Sequence, residues 1–198
     1  MAEILAKGME KFAEGYLMVE ELSKEVEGLK KQVANLKPGA EDKVSIIVFS
    51  GDLDKVLAAF IIATGAVAMG MEAVMFFTFW GTPVLRDPEK KAGGKDLMGK
   101  MFGFMLPKGR NAIKLSKMNM GGMGTNMMKS LMKKKNVASL DEMLDMAADL
   151  GVKIYICEMS MGLMGFKKEE FIDYPNLEYV GVATFLEQAK NSKVQLFI

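Results

Sequence analysis

Cys157 is the only cysteine in a chain of 198 residues. It stands where the strand-like run Val152-Lys153-Ile154-Tyr155-Ile156 gives way to Glu158-Met159-Ser160-Met161-Gly162-Leu163-Met164-Gly165. In an α/β fold the carboxyl ends of parallel strands open onto the ligand crevice, and a helix starting there turns free backbone N–H groups and a partial positive charge toward whatever precedes it. A thiol so placed ionises more readily than a free one, and the thiolate is the nucleophile. The alternative is that Cys157 is a small apolar residue packed in the core, as unpaired cysteines often are.

Two further turns share that edge if the sheet is parallel. Ser50-Gly51-Asp52 follows the first apolar strand and Trp80-Gly81-Thr82 follows the second. Ser50, Gly51, Asp52, Trp80, Glu158, Met159 and Ser160 are therefore expected to line a crevice around Cys157, supplying an acid, a small turn and an aromatic wall. The first turn, Ser50 to Lys55, has neither the glycines of a dinucleotide fingerprint nor the Gly-Lys-Ser/Thr of a P-loop, and Asp52 and Asp54 would repel a phosphate. Capping of the next helix by Asp52 or Ser50 is the simpler use.

Composition removes whole classes of mechanism. Without histidine there is no Ser-His-Asp or Cys-His activation and no imidazole metal site, and one cysteine cannot build a structural zinc site. No calcium-loop spacing occurs, so neither a metal nor a cofactor is expected. The balance of 26 basic and 25 acidic residues argues against whole-protein attraction to nucleic acid. The chain opens with mixed charges rather than an apolar h-region, and a single cysteine can form no internal disulfide; a reducing cytoplasm is the expected compartment.

The elements that must position these residues are legible as alternating strands and helices. Lys43–Phe49 and Ala73–Phe79 are apolar, β-rich runs, with a helix from Leu53 to Met69 between them that ends at Gly70. Ser139 with Glu142 forms a capping-box pattern for a helix over Leu140–Leu150, closed by Gly151. A strand at Leu177–Val182, a helix at Ala183–Asn191 and a last strand at Val194–Ile198 follow. The expected fold is α/β: a mostly parallel five-stranded sheet with helices on both faces. Val56 to Leu85 holds one charged residue, Glu72, but its punctuation fits a helix and a buried strand better than a membrane span.

Two segments fall outside that alternation. Residues 1–37 read as a helical appendage in which Leu22, Val26, Leu29, Val33 and Leu36 take heptad spacing, with residues 38–42 as a linker to a domain over 43–198. A seam of that kind packs on a partner, and a homo-oligomer is expected, although a single amphipathic helix lying on its own domain has the same pattern. The insertion at about 82–137 is rich in Met, Lys and Gly: between Leu97 and Lys135 nine Lys or Arg and nine Met are interleaved with six Gly and no acid. It suits either a mobile cover or adaptable docking surface beside Cys157, with a basic rim for a protein, an anion or a membrane face, or flexible packing on the core.

Phe49-Ser50-Gly51-Asp52-Leu53-Asp54-Lys55, Phe76-Phe77-Thr78-Phe79-Trp80-Gly81, Lys117-Met118-Asn119-Met120-Gly121-Gly122 and Cys157-Glu158-Met159-Ser160-Met161 together resemble the DsrE/DsrF-like sulfur-relay family over roughly residues 43–198. The Cys-x-Met-Ser-Met element is the most specific of these; members often carry an acid where this chain has Gly162. The resemblance implies a flavodoxin-like α/β domain that oligomerises, and a sulfur carrier or sulfurtransferase that holds sulfane sulfur on Cys157 as a persulfide or thiosulfonate. Its partners would be donor and acceptor proteins or small anionic sulfur compounds. A non-catalytic scaffold and a peripheral membrane protein are the competing readings, separated from the first by thiol reactivity and by lipid flotation.

Overall fold

The computed structural model describes residues 15, 18–31, 41–95 and 97–198. It comprises two compact units, Met1–Gly39 and Ala40–Ile198. In the first, helix α1 covers 18–31, and Leu22, Val26 and Leu29 of the heptad pattern stand about half exposed on it. Val33 and Leu36, with the upstream Phe12 and Tyr16, lie outside the described residues.

The second unit carries strands β1 (Glu41–Val48), β2 (Glu72–Phe77), β3 (Lys153–Cys157), β4 (Leu177–Val180) and β5 (Ser192–Phe197). They form one sheet in the order β4-β3-β2-β1-β5, every pairing parallel. The layered α/β architecture read from the sequence is present, with this strand order its own. Glu41 and Asp42, expected in the linker, already belong to β1.

Successive parallel strands added on one side by crossovers of constant hand place their helices on one face, and the return from β4 across to β5 places its helix on the other. Helices α2 (Leu53–Ala68) and α5 (Leu140–Asp149) accordingly pack on each other over one face, where Val44, Ile46, Val48, Met75, Phe77, Ile154 and Ile156 point. Helix α7 (Val182–Lys190) covers the other through Phe185 and Ala189, against Val74, Phe76, Tyr155 and Cys157. Strand alternation thus assigns Cys157 to the α7 layer.

The helix starts are set differently from one another. Ser139 accepts from the Glu142 N–H while the Glu142 carboxylate accepts from the Ser139 N–H, the reciprocal box expected of the sequence. At α2, Asp52 holds the cap position but its side chain makes no capping bond, contrary to the expectation for Asp52 or Ser50. The Leu53 N–H instead donates to the Lys114 carbonyl at 2.8 Å, and the Asp54 carboxylate accepts from the Ser116 N–H and hydroxyl at 2.8 and 2.6 Å. The start of α2 is therefore closed by a neighbouring segment.

That segment belongs to the Met-rich stretch, which is laid against the domain in short pieces. Phe79–Leu85 makes a buried 3-10 turn, followed by α3 (Leu97–Met105) and α4 (Met123–Lys134). Ile113 enters the core at 2% exposure. Arg86, Lys95 and Glu170 form a buried charge cluster: Glu170 Oε2 accepts from Arg86 at 3.2 Å and Oε1 from Lys95 at 2.5 Å, with Arg86 over the Phe166 ring. Buried charges persist only when paired, so this cluster pins the insertion to the loop after α6 (Glu158–Leu163). Among the described residues no helix is long and apolar enough to cross a membrane.

Candidate functional site

Cys157 ends β3 and occupies the cap position of α6. The β2–β3 register pairs Phe77 with Ile156, so the next residue on each strand, Thr78 and Cys157, come side by side on the α7 face. From α6, one turn beyond the cysteine, Ser160 points back inward and is fully buried. Its hydroxyl lies 2.8 Å from the Thr78 hydroxyl, one donating to the other, and whichever of the two accepts keeps its own proton for the sulfur beside them.

The electrostatics follow from that enclosure. Burial alone pushes the thiol up, since a thiolate is costly away from water. Against it act the Ser160 hydroxyl, the Ser160 N–H, the Thr78 hydroxyl and the Met159 N–H, and together they bring Cys157 below the ordinary thiol value. The arrangement is a preformed cradle for negative charge on sulfur.

The turn that carries Thr78 is held by backbone fit. Phe79 follows it at φ +43°, a left-handed conformation that costs a non-glycine residue about 1 kcal/mol. Its ring packs on Phe49 at 5.3 Å, and Phe49 packs on Phe197 at 5.6 Å. Gly51 and Gly81 let the turns after β1 and β2 touch: a Cβ on Gly51 would sit 2.4 Å from the Trp80 carbonyl oxygen, and one on Gly81 would sit 2.2 Å from that of Val48. The Gly81 N–H donates to the Phe49 carbonyl at 2.9 Å across the same contact.

The sequence-predicted residues separate into two groups. Met159 and Ser160 reach the sulfur, Met159 by its N–H while its side chain stays exposed. Glu158 is exposed and pairs with Lys168 at 3.2 Å. Trp80 is half exposed on the turn that contacts α6. Ser50, Gly51 and Asp52 follow β1, two strands from β3 and so about 10 Å across the sheet. The Ser50 hydroxyl donates to Asp52 at 2.8 Å and Lys55 pairs with Asp52 at 2.9 Å, so the acid is engaged locally. The expected open crevice is closed: Cys157 is 2% exposed.

Thr78 was not singled out from the sequence. A hydroxyl at the end of the strand adjoining the cysteine strand was the available signal, but its use depends on β2 and β3 being neighbours in this register. The Met-rich segment is the converse case. It was expected beside the thiol, yet α4 packs toward α2, on the sheet face opposite Cys157, with Met132, Val137 and Leu53 sharing a cavity wall.

The sequence profile described as the DsrE/DsrF/DrsH-like family matches residues 40–197. The chain belongs to the DsrE/DsrF/DrsH-like family. Among curated relatives, the uncharacterized protein YrkE of Bacillus subtilis (strain 168) is 45% identical over 156 residues, covering 79% of this chain and 96% of YrkE. The sulfur carrier protein DsrE2 of Allochromatium vinosum is 36% identical over 159 residues, covering 80% of this chain and 99% of DsrE2. The DsrE/DsrF/DrsH-like span includes both the cysteine strand and the whole Met-rich stretch, while the first unit precedes it.

Proposed function

We propose that the chain is a sulfur carrier or sulfurtransferase that takes sulfane sulfur onto Cys157 and passes it to an external acceptor. Family membership and the likeness to a protein named as a sulfur carrier support a sulfur-relay role at the level of the family. The observation that carries the finer reading is the cradle around the sulfur, built from the Ser160 and Met159 N–H groups and the linked Ser160–Thr78 hydroxyl pair. It favours the thiolate before reaction, and the terminal anion of a persulfide afterwards.

The reaction needs no metal or cofactor. The thiolate attacks a sulfur of a polysulfide, one S–S bond forms, one breaks, and the shortened polysulfide dianion leaves. With tetrathionate the leaving group is thiosulfate, and Cys157 keeps a sulfur-bound thiosulfonate. Delivery is the reverse attack, by an acceptor thiolate on the outer sulfur. The sole cysteine cannot resolve a persulfide within one chain, so transfer must be to another molecule. Because the sulfur is sealed, loading proceeds through a local opening, for which the six-residue α6 and the 79–85 turn are the elements over the sulfur that must yield.

The same reading expects a cytoplasmic homo-oligomer that exchanges sulfur with donor and acceptor proteins. The half-exposed Leu22, Val26 and Leu29 of α1 are the apolar surface that assembly would cover. Cold cyanolysis tests the function: polysulfide-treated protein, freed of excess reagent, should yield cyanide-labile sulfur in proportion to chain. Equal yield from Cys157→Ser would remove the proposal.

A further inference from the structure

A cavity of about 690 Å³ lies between the carboxyl end of α4 and the start of α5, and it has no part in the sulfur site. Its volume falls within the range of small-molecule pockets. The interior is apolar, built by Leu53, Met132, Val137, Leu140 and Met146, while Arg110, Lys129 and Lys133 stand in its lining. Lys129, Met132, Lys133 and Asn136 share one face through their 3-, 4- and 7-residue spacing, so α4 and its end present two ammonium groups beside an apolar surface.

The charge there is unbalanced. Of the two carboxylates in the lining, Asp141 pairs with the Arg110 Nε, and Glu142 is folded back on the Ser139 N–H and hydroxyl at 2.7 and 2.8 Å. Lys129 donates to the neutral carbonyl of Asn111 at 3.2 Å, and among the described residues neither Lys129 nor Lys133 has an ion-pair partner. No acid occurs from Leu97 to Lys135 to supply one. Unpaired cations over an apolar floor select a ligand with the same division.

We propose that this cavity binds an amphipathic organic anion, with its acyl or ring body on Leu53, Met132 and Leu140 and its carboxylate or sulfonate head at Lys129 and Lys133. The site is independent of the relay reading, since it lies in the α2/α5 layer and the thiol in the α7 layer.

The test is a fluorescence titration of the full chain with anilinonaphthalene sulfonate, followed by displacement with decanoate or with the uncharged decanol. Saturable single-site binding is expected, displaced by decanoate well before decanol. The double charge reversal Lys129→Glu, Lys133→Glu should weaken it by about tenfold or more, less so as salt rises. Met146→Trp, which fills the cavity, should abolish it. Lys190→Glu on α7 should not change it, nor should Cys157→Ser, which abolishes sulfur loading on the reading above. Circular dichroism checks each fold, and should the filled variant unfold, the surface charge reversal decides alone. No saturable binding, equal displacement by decanol, or unchanged affinity after charge reversal would overturn the proposal.

Discussion

At Cys157 two opposed effects meet, and the balance between them is measurable. Burial raises the thiol, whereas donors from Ser160, Thr78 and Met159 lower it further than burial raises it. Alkylation rate against pH should therefore show a midpoint below that of the same thiol in the unfolded chain. Thr78→Val and Ser160→Ala each remove a hydroxyl and should move the midpoint upward, with Ser160→Ala the larger shift. A midpoint unmoved in both variants would deny the cradle its role. Linkage gives a second readout: a thiol depressed by folding adds stability that is fully present above its unfolded value and lost as pH falls through the folded one. Cys157→Ser should flatten that part of the stability profile. The cysteine and its Met159–Ser160 neighbours were legible because they are consecutive in sequence; Thr78 was not, because only strand register brings it there.

Among the elements, the turn pair and the buried charge cluster bear most directly on the site. Gly51→Ala or Gly81→Ala would drive a Cβ into a carbonyl oxygen, so the turns must separate and Thr78 must shift with them. Both variants should lower the melting temperature and raise the midpoint of the Cys157 thiol, since Thr78 moves with the turn; a variant that melts lower yet keeps the wild-type midpoint would uncouple the turn from the site. Glu170 behaves differently. Burial pushes its carboxyl up, but the Lys95 ammonium, the Lys167 N–H and the Arg86 guanidinium together hold it below the ordinary carboxylate value. Its contribution to stability is thus present above the ordinary carboxylate range and lost as pH falls through the depressed value. Glu170→Ala leaves Arg86 and Lys95 buried without their anion and should cost about 3–5 kcal/mol in urea unfolding near neutral pH. The alternation of elements and the Ser139 capping box could be read locally. The start of α2 could not, because its closing carbonyl comes from Lys114, sixty-one residues beyond Leu53.

For the whole molecule, layering is what the sequence conveyed least. Strand periodicity shows that alternate residues face opposite ways, but it does not say which helix covers which face. Because α4 packs toward α2, Lys129 and Lys133 stand on the sheet face opposite the thiol, where they border the α4/α5 cavity. Assembly belongs at this scale as well. The 198-residue chain should scatter light as an oligomer, and removal of residues 1–37 should reduce its mass; an unchanged oligomer would assign assembly to the α/β unit itself, and a monomeric 198-residue chain would remove the expectation. The central claim remains chemical: one thiol, sealed yet favoured as its anion, holds sulfur for transfer. Intact-mass spectrometry after incubation with polysulfide or tetrathionate tests it most directly. The mass should rise by one or more sulfur atoms, or by a thiosulfonate group, an increase reversed by a reducing thiol and missing in Cys157→Ser. Folded wild-type protein that takes up no adduct from either donor, with a thiol that also resists alkylation, would contradict it.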